Sequence, residues 1–369
     1  MGEWKNYTLS DLAEIHNQKR KPLNSGERAK RKGSFPYYGA SGIVDYIDDY
    51  IFDGEYVLIS EDGENLRSRQ TPIAFKATGK FWVNNHAHIV KGNEKYINDL
   101  IVHYFANLDL SPYITGAVQP KLSKENLLSI PIELPELESE QRAIASILSS
   151  LDDKIDLLHR QNQTLEALAE TLFRQWFMEE ADEEWEMGKL GDLIEFAKGK
   201  KPINTSEHYT DGSVPQILIE TFDTGKTLYA DPQDMVIAKK DEILMVMDGG
   251  SSGRVELGFE GIVGSTIGLF KPKSEFSYPF FIFFFLKFNE SFIKENTTGS
   301  AIPHADKALI LDLDVQYPNL KTVSLFNQFA MQQLEKKHSN IYQIRTLTQL
   351  RDALLPKLMS GEVRVVYGN

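Results

Sequence analysis

The 369-residue sequence contains no cysteine, which excludes disulfides and cysteine-ligated zinc. It lacks a long apolar run as well. Its most apolar stretch, Tyr278-Pro279-Phe280-Phe281-Ile282-Phe283-Phe284-Phe285-Leu286, falls well short of the ~20 residues that span a bilayer and is read as a helix buried in a core. The opening Met1-Gly2-Glu3-Trp4-Lys5-Asn6 is polar, unlike a secretory leader. These absences point to a soluble cytoplasmic protein. Catalytic signatures are missing too. There is no Asn-Pro-Pro or Asp-Pro-Pro tetrapeptide of an amino-methyltransferase, and no phosphate loop of a motor. Acidic pairs such as Glu61-Asp62 exist, but turns account for them and nothing marks a metal-nuclease site.

Positive charge is also scarce, with a formal net charge of −13, which argues against a nucleic-acid ligand until the charges are located. Acidic residues crowd one junction (Glu179, Glu180, Asp182, Glu183, Glu184, Glu186) and an expected helix (Glu138, Glu140, Asp152, Asp153, Asp156). Basic residues cluster elsewhere: Lys19-Arg20-Lys21 with Arg28, Lys30, Arg31 and Lys32, then Lys198, Lys200 and Lys201. In so polarised a chain the net charge says little about a ligand. The hydrophobic content of 41% is ample for folded cores, and the length allows two or three domains.

What the sequence does contain is a duplication. Trp4, Leu9, Asp11, Leu12 and Glu14 are echoed by Trp185, Leu190, Asp192, Leu193 and Glu195. Arg20-Lys21-Pro22-Leu23-Asn24 is echoed by Lys200-Lys201-Pro202-Ile203-Asn204. A strand and turn, Glu55 to Gly63, returns as Glu242 to Gly250. Thr115-Gly116-Ala117-Val118-Gln119-Pro120 corresponds to Thr298-Gly299-Ser300-Ala301-Ile302-Pro303, and Ile130 to Pro135 corresponds to Leu313 to Pro318. Any one match is within reach of chance; the ordered series is not.

Each copy ends in a helix. With Ser139 as N-cap, Ile144, Leu151, Leu158, Leu165 and Leu172 recur every seven residues, interleaved by Leu148, Ile155, Asn162, Ala169 and Trp176. No proline or glycine interrupts Ser139 to Ala181, giving a rod of ~60 Å at ~1.5 Å per residue. A second helix is expected from near Ser324 to Gly361, with seam residues Leu334, Ile341, Ile344, Leu347, Leu350, Leu354 and Leu358, and a kink at Pro356. Lys337 and Arg351 fall at seam positions of that helix. So long an apolar stripe needs cover, so the two helices are expected to pack together, antiparallel, with one globular domain at each end. Asn162 is either a polar residue that fixes register or a tolerated substitution. Two heads at fixed separation suit a DNA reader addressing two half-sites at least one helical turn apart, ~34 Å.

The residues now assembled resemble those of the specificity subunit of type I restriction-modification systems. The resemblance covers essentially the whole chain. It is sharpest from Thr115-Gly116-Ala117-Val118-Gln119-Pro120-Lys121-Leu122-Ser123, through Ile130 to Pro135, into Ser139-Glu140-Gln141-Arg142-Ala143-Ile144-Ala145. Tyr38-Gly39-Ala40-Ser41-Gly42, Ile59 to Gly63 and Asn84-Asn85-His86-Ala87-His88 add a recognition-domain likeness. In the second copy Ile302 replaces the glutamine and His304 the lysine.

The resemblance implies an α+β fold. Two globular mixed α/β target-recognition domains with twisted β-sheets would be separated by a long antiparallel two-helix coiled coil with pseudo-twofold symmetry. The boundaries expected are 1–138 for the first recognition domain, 139–181 for the central spacer helix, 182–321 for the second domain, 322–361 for the C-terminal spacer helix and 362–369 for a tail. Each domain would read half of a bipartite double-stranded DNA site, while the helices set the gap and dock two modification subunits. A motor-nuclease subunit completes the complex. Such a chain has no catalytic residues and no cofactor of its own; S-adenosylmethionine is used by the partner methyltransferase. A related restriction system, or a coiled-coil scaffold without DNA readout, is the alternative.

Candidate DNA contacts follow from residue chemistry. Lys19, Arg20, Lys21, Arg28, Lys30, Arg31, Lys32, Lys121, Lys198, Lys200 and Lys201 suit phosphates, or else form solvated lysine-rich loops. Arg67 and Arg69 suit a fork onto guanine or a surface salt bridge. Asn84 and Asn85 suit adenine, or a hydrogen-bonded strand. Asp248-Gly249-Gly250-Ser251-Ser252-Gly253-Arg254 reads as a hairpin loop or a phosphate nest, placing Ser251, Ser252 and Arg254 at a tip. His86 and His88 are expected on one strand face, short of a third metal ligand.

Overall fold

The computed structural model describes residues 3–299 and 301–365, Thr224 by its backbone alone. The leader reading at Met1-Gly2, Ser300 of the repeated loop and the last four tail residues lie outside the described residues. The chain divides into two compact units, residues 1–157 with 343–369 and residues 158–342.

In the first unit the strands are β1 (Trp4–Tyr7), β2 (Ala13–Ile15), β3 (Lys32–Gly39), β4 (Gly42–Ile47), β5 (Phe52–Ser60), β6 (Ala74–Val83), β7 (Ala87–Gly92) and β8 (Ile132–Pro135). Six form one sheet in the order β2-β7-β5-β6-β3-β4, antiparallel except for β3 beside β6; β1 pairs with β8. β5 is rich in β-branched and aromatic residues, and at the sheet centre its inner half is buried on both faces. Helix Lys95–Asn107 turns Ile97, Leu100, Ile101 and Phe105 into the core beside Val57, Ile59 and Val90. Ile144 and Leu148 of the first long helix and Leu355 and Leu358 of the second join that core.

The second unit repeats the scaffold with shorter pieces. Its strands are β9 (Met187–Lys189), β10 (Ile194–Lys198), β11 (Val214–Ile217), β12 (Leu228–Ala230), β13 (Ile237–Ala238), β14 (Ile243–Val246), β15 (Val255–Glu256), β16 (Gly261–Val263), β17 (Ile267–Pro272) and β18 (Asp314–Gln316). β14 lies between β17 and β15 as β5 lies between β7 and β6, and β10 pairs with β17 as β2 pairs with β7. β11 runs parallel to β16 as β3 does to β6, and β9 pairs with β18 as β1 does with β8. The six-stranded sheet of the first unit becomes two four-stranded sheets here. The apolar run is the buried helix Pro279–Phe288, whose Phe281 and Phe284 stack against Phe173 of the first long helix.

The first long helix spans Glu138–Arg174 and ends in a π-helical turn, Gln175–Glu179. Its first intrahelical acceptor is Leu137 O, so Ser139 sits inside the first turn rather than capping it. The second long helix, Leu320–Met359, starts four residues before Ser324 and runs through Pro356 to stop ahead of Gly361, at φ +76°. Within each unit the two helices run antiparallel. In the second unit Asn162 meets Asn340, Glu166 meets Lys337 and Phe173 meets Phe326; in the first, Asp152 meets Arg351.

In the first helix Ile144, Leu148, Ile155, Leu158 and Asn162 are buried and Leu151, Leu165 and Leu172 half-buried. The second helix departs from expectation. Ile341 is 49% exposed and Leu350 also faces outward, whereas Asn340 is 0% exposed. Leu334 and Ile344 are half-buried and Leu358 is buried. Lys337 and Arg351, at seam positions, face Glu166 and Asp152 of the first helix, but at the next position periodicity of aliphatic residues chose Ile341 where the buried residue is its neighbour Asn340. Asn340 donates its amide to Asn162 Oδ1 at 2.9 Å, a polar layer within the seam.

Candidate nucleic-acid interface

The most closely duplicated structure is a loop fastened to a turn. In the first unit β5 runs into Glu61-Asp62-Gly63. Leu122 N–H donates to Glu61 O (2.7 Å), Gly63 N–H to Pro120 O (3.0 Å) and Glu61 N–H to His86 O (2.9 Å). In the second unit β14 runs into Met247-Asp248-Gly249. Ala305 N–H donates to Met247 O (2.8 Å), Gly249 N–H to Pro303 O (2.9 Å) and Met247 N–H to Thr266 O (2.8 Å). Thr115 and Lys121 exchange two backbone bonds, as do Thr298 and His304. Hydrogen bonding thus equates Glu61 with Met247, Asp62 with Asp248, Lys121 with His304 and His86 with Thr266, one residue off the end-to-end sequence match of Glu55–Gly63 with Glu242–Gly250, which set Glu61 against Asp248.

Each loop depends on a glycine. Gly116 and Gly299 sit at φ +86° and +89°, and a Cβ there would lie 2.2 Å from Gln119 O and 2.3 Å from Ile302 O. The tight turn projects Val118, 97% exposed, in one unit and Ile302 in the other.

The acids beneath these loops gather the basic residues. Glu61 pairs with Arg20, with Lys121 at 3.4 Å, and lies 3.7 Å from His88. Burial pushes the Glu61 carboxyl up, but the Arg20 bond and the surrounding charges outweigh it and hold it below the usual range. Asp248 behaves alike: burial raises it, and Lys198 at 2.9 Å with His304 at 2.7 Å lowers it further than burial lifts it. Asp62 receives His86 Nδ1 at 2.8 and 2.9 Å.

His86 and His88 do not share a strand face. β7 begins at Ala87, so His86 stands exposed in the preceding turn and His88 is buried. Asn17 Oδ1 accepts Ile89 N–H, which turns its amide nitrogen toward His88 Nδ1 at 2.8 Å. Nδ1 therefore accepts, Nε2–H donates to Leu122 O at 2.8 Å, and burial holds the imidazole pKa down. His88 is a neutral strut.

Many of the basic residues picked out by composition are already engaged. Arg28 and Lys32 pair with Asp45, and Arg31 pairs with Asp48 and Asp49 while covering the Trp82 ring. Arg67 donates to Gly116 O (2.8 Å) and Ala117 O, bracing the repeated loop. Arg69, at φ +50°, donates to Phe105 O, Ala106 O and Leu108 O, closing the C-terminus of helix Lys95–Asn107. Asn84 Oδ1 accepts His86 N–H (2.8 Å) and Asn85 is exposed. Arg254 pairs with Asp223 and Glu256. Ser252 is not at a loop tip: it is buried, with its hydroxyl within reach of Gly249 O and Pro303 O, because the turn folds under the repeated loop; Ser251 is half-buried. Lys19, Lys21, Lys30 and Lys201 are exposed, with no ion pair among the described residues, and Lys200 reaches only Asp234 O at 3.4 Å. Residue types alone missed Asp62, Asp248, His304 and the loop glycines as the organising set. The signal was there, in the position of the Thr-Gly loop in both copies.

Comparison with known proteins agrees with the duplication. The family model described as the type I restriction modification DNA specificity domain matches residues 1–167 and again residues 182–341. A putative type I restriction enzyme specificity subunit of Haemophilus influenzae is 44% identical over 149 residues, 40% of this chain and 37% of that one. The type I restriction enzyme MjaIX specificity subunit of Methanocaldococcus jannaschii is 24% identical over an alignment covering 90% of this chain and 88% of that one. In fold, the chain is similar to the crystal structure of a type I restriction-modification system S subunit from M. genitalium, with TM-score 0.69 at 17% identity over 97% and 96% of the two chains. With the family model matched twice across most of its length, the chain belongs to the type I restriction-modification DNA specificity family.

Proposed function

We propose that the chain is the sequence-reading, non-catalytic subunit of a cytoplasmic type I restriction-modification complex, each unit reading one half of a discontinuous duplex site. The observation that carries this is the twofold occurrence of one scaffold and one fastened loop in a single chain. Affinity comes from exposed lysines such as Lys19, Lys21, Lys30, Lys200 and Lys201, discrimination from loop side chains. The paired helices set the unread gap and dock methyltransferase subunits, which bring S-adenosylmethionine; a motor-nuclease subunit adds restriction. Because acids outnumber basic residues and many cations are paired internally, the chain alone binds DNA weakly and relies on its partners for clamp and charge.

Methylation mapping tests this in a host carrying the chain and its methyltransferase. The expected outcome is one bipartite motif that vanishes when the chain is deleted. Seven residues added after Ile155, matched by seven in the second helix, should lengthen the gap and leave both half-sites unchanged. A continuous motif, or altered half-site bases in the lengthened chain, overturns the reading.

A further inference from the structure

Both units place an imidazole on the same carboxylate, from different points of the chain. Asp62 and Asp248 are equivalent by backbone hydrogen bonding. On Asp62 sits His86, from the turn before β7; on Asp248 sits His304, from the repeated loop. The position equivalent to His86 is Thr266, and the position equivalent to His304 is Lys121, so neither histidine is inherited from the other copy. The same pair thus occurs in both units from non-equivalent positions. Their exposure matches as well, 46% for His86 and 47% for His304. In each, Nδ1 faces a carboxylate oxygen and so carries the hydrogen, which leaves Nε2 as the atom available to a ligand.

We propose that His86 and His304 are DNA-contacting residues, one in each unit, with Asp62 and Asp248 as the positioning residues that aim Nε2 at the duplex. The inference rests on the DNA-reading function proposed above. With Nδ1–H held by the aspartate, protonation puts a second N–H on Nε2, a donor suited to phosphate oxygens or to guanine O6 and N7. The neutral ring offers only a lone pair there and loses that contact. The charged groups around the two rings are Asp62 with Glu61, Arg20 and Lys121, and Asp248 with Lys198.

The test uses the full chain assembled with its methyltransferase and a duplex carrying the mapped site. Affinity is measured across a salt series. His86→Ala with His304→Ala should weaken binding ~10- to 100-fold. If the contacts are to phosphates, the slope of log affinity against log salt falls by ~2 and the methylated motif is unchanged. If they are to guanine, the slope holds and the motif relaxes at one position in each half. Asp62→Asn and Asp248→Asn separate orientation from charge. Acids that merely repel phosphate tighten binding when neutralised; positioning acids weaken it.

The proposal is overturned if the double histidine variant keeps parental affinity, salt slope and motif while Lys21→Ala weakens binding. That result would leave the DNA-reading function standing. Absence of any sequence-specific binding by the parent assembly would remove both.

Discussion

The two units carry the same fastened loop on different chemistry. In the first, the residue ahead of the aspartate is Glu61, half-buried and held by Arg20 and Lys121; in the second it is Met247, which needs no countercharge. Backbone bonds and loop glycines are retained while side-chain charges are exchanged. Loop geometry is set by backbone donors and acceptors that any side chain leaves intact. Charges need only balance locally. His304, which stands where the first copy has Lys121, gives the second unit on this loop the imidazole–aspartate contact that the first makes from a turn.

Removing Arg20 should break this symmetry most. Arg20→Ala leaves Glu61 with Lys121 alone and takes away donors to Asn17 O and Ala87 O, at a cost of about 2 kcal/mol. Lys201→Ala, at an exposed site of the second unit, should cost under about 0.5 kcal/mol. Urea unfolding of the whole chain compares the two, and equal losses would deny the first unit its special dependence on charge.

Next come the helices. Asn162→Leu leaves the Asn340 amide buried without its acceptor and should cost about 2 kcal/mol. Replacing both asparagines by leucine should recover that loss or exceed it, while admitting helix pairings out of register. Thermal unfolding gives the first effect, and cysteine cross-linking at introduced pairs gives the second.

The glycines should show the units as near equals. Gly116→Ala and Gly299→Ala meet the same left-handed strain and an equivalent carbonyl, so each should lose about 1–3 kcal/mol, with Gly299→Ala also pressing on the His304 ring 2.9 Å away. Amide exchange at Lys121 and His304 reads each loop separately.

The smallest effect is the pH response. Glu61 and Asp248 both have folded pKa values below the ordinary carboxylate value, so both add stability above the unfolded pKa, about 4. That contribution falls away as pH drops through the lowered folded values. Glu61→Gln should flatten the acid limb in the first unit and leave the Asp248 response of the second in place, as resolved by histidine and amide NMR signals of each unit.

How much of this was legible in residues alone varies by feature. The duplication, the first seam from Ile144 to Leu172 and the buried phenylalanine helix all rest on local periodicity or repetition, which sequence displays directly. The second seam was misread at Ile341, because Asn340 looks like surface until its partner Asn162 is opposite. The basic loops looked free because Asp45, Asp48 and Glu61 lie 13 to 41 residues away from the cations they neutralise.

By itself the sequence determined that one fold is written twice and that each copy closes on a long amphipathic helix, since both are properties of residue order. Only the tertiary structure decided which charges cancel, which histidine is buried and neutral, and which faces outward on an aspartate. Those outcomes depend on distances between residues remote in the chain, and electrostatics and hydrogen bonds act over ångströms in space without regard to separation in sequence.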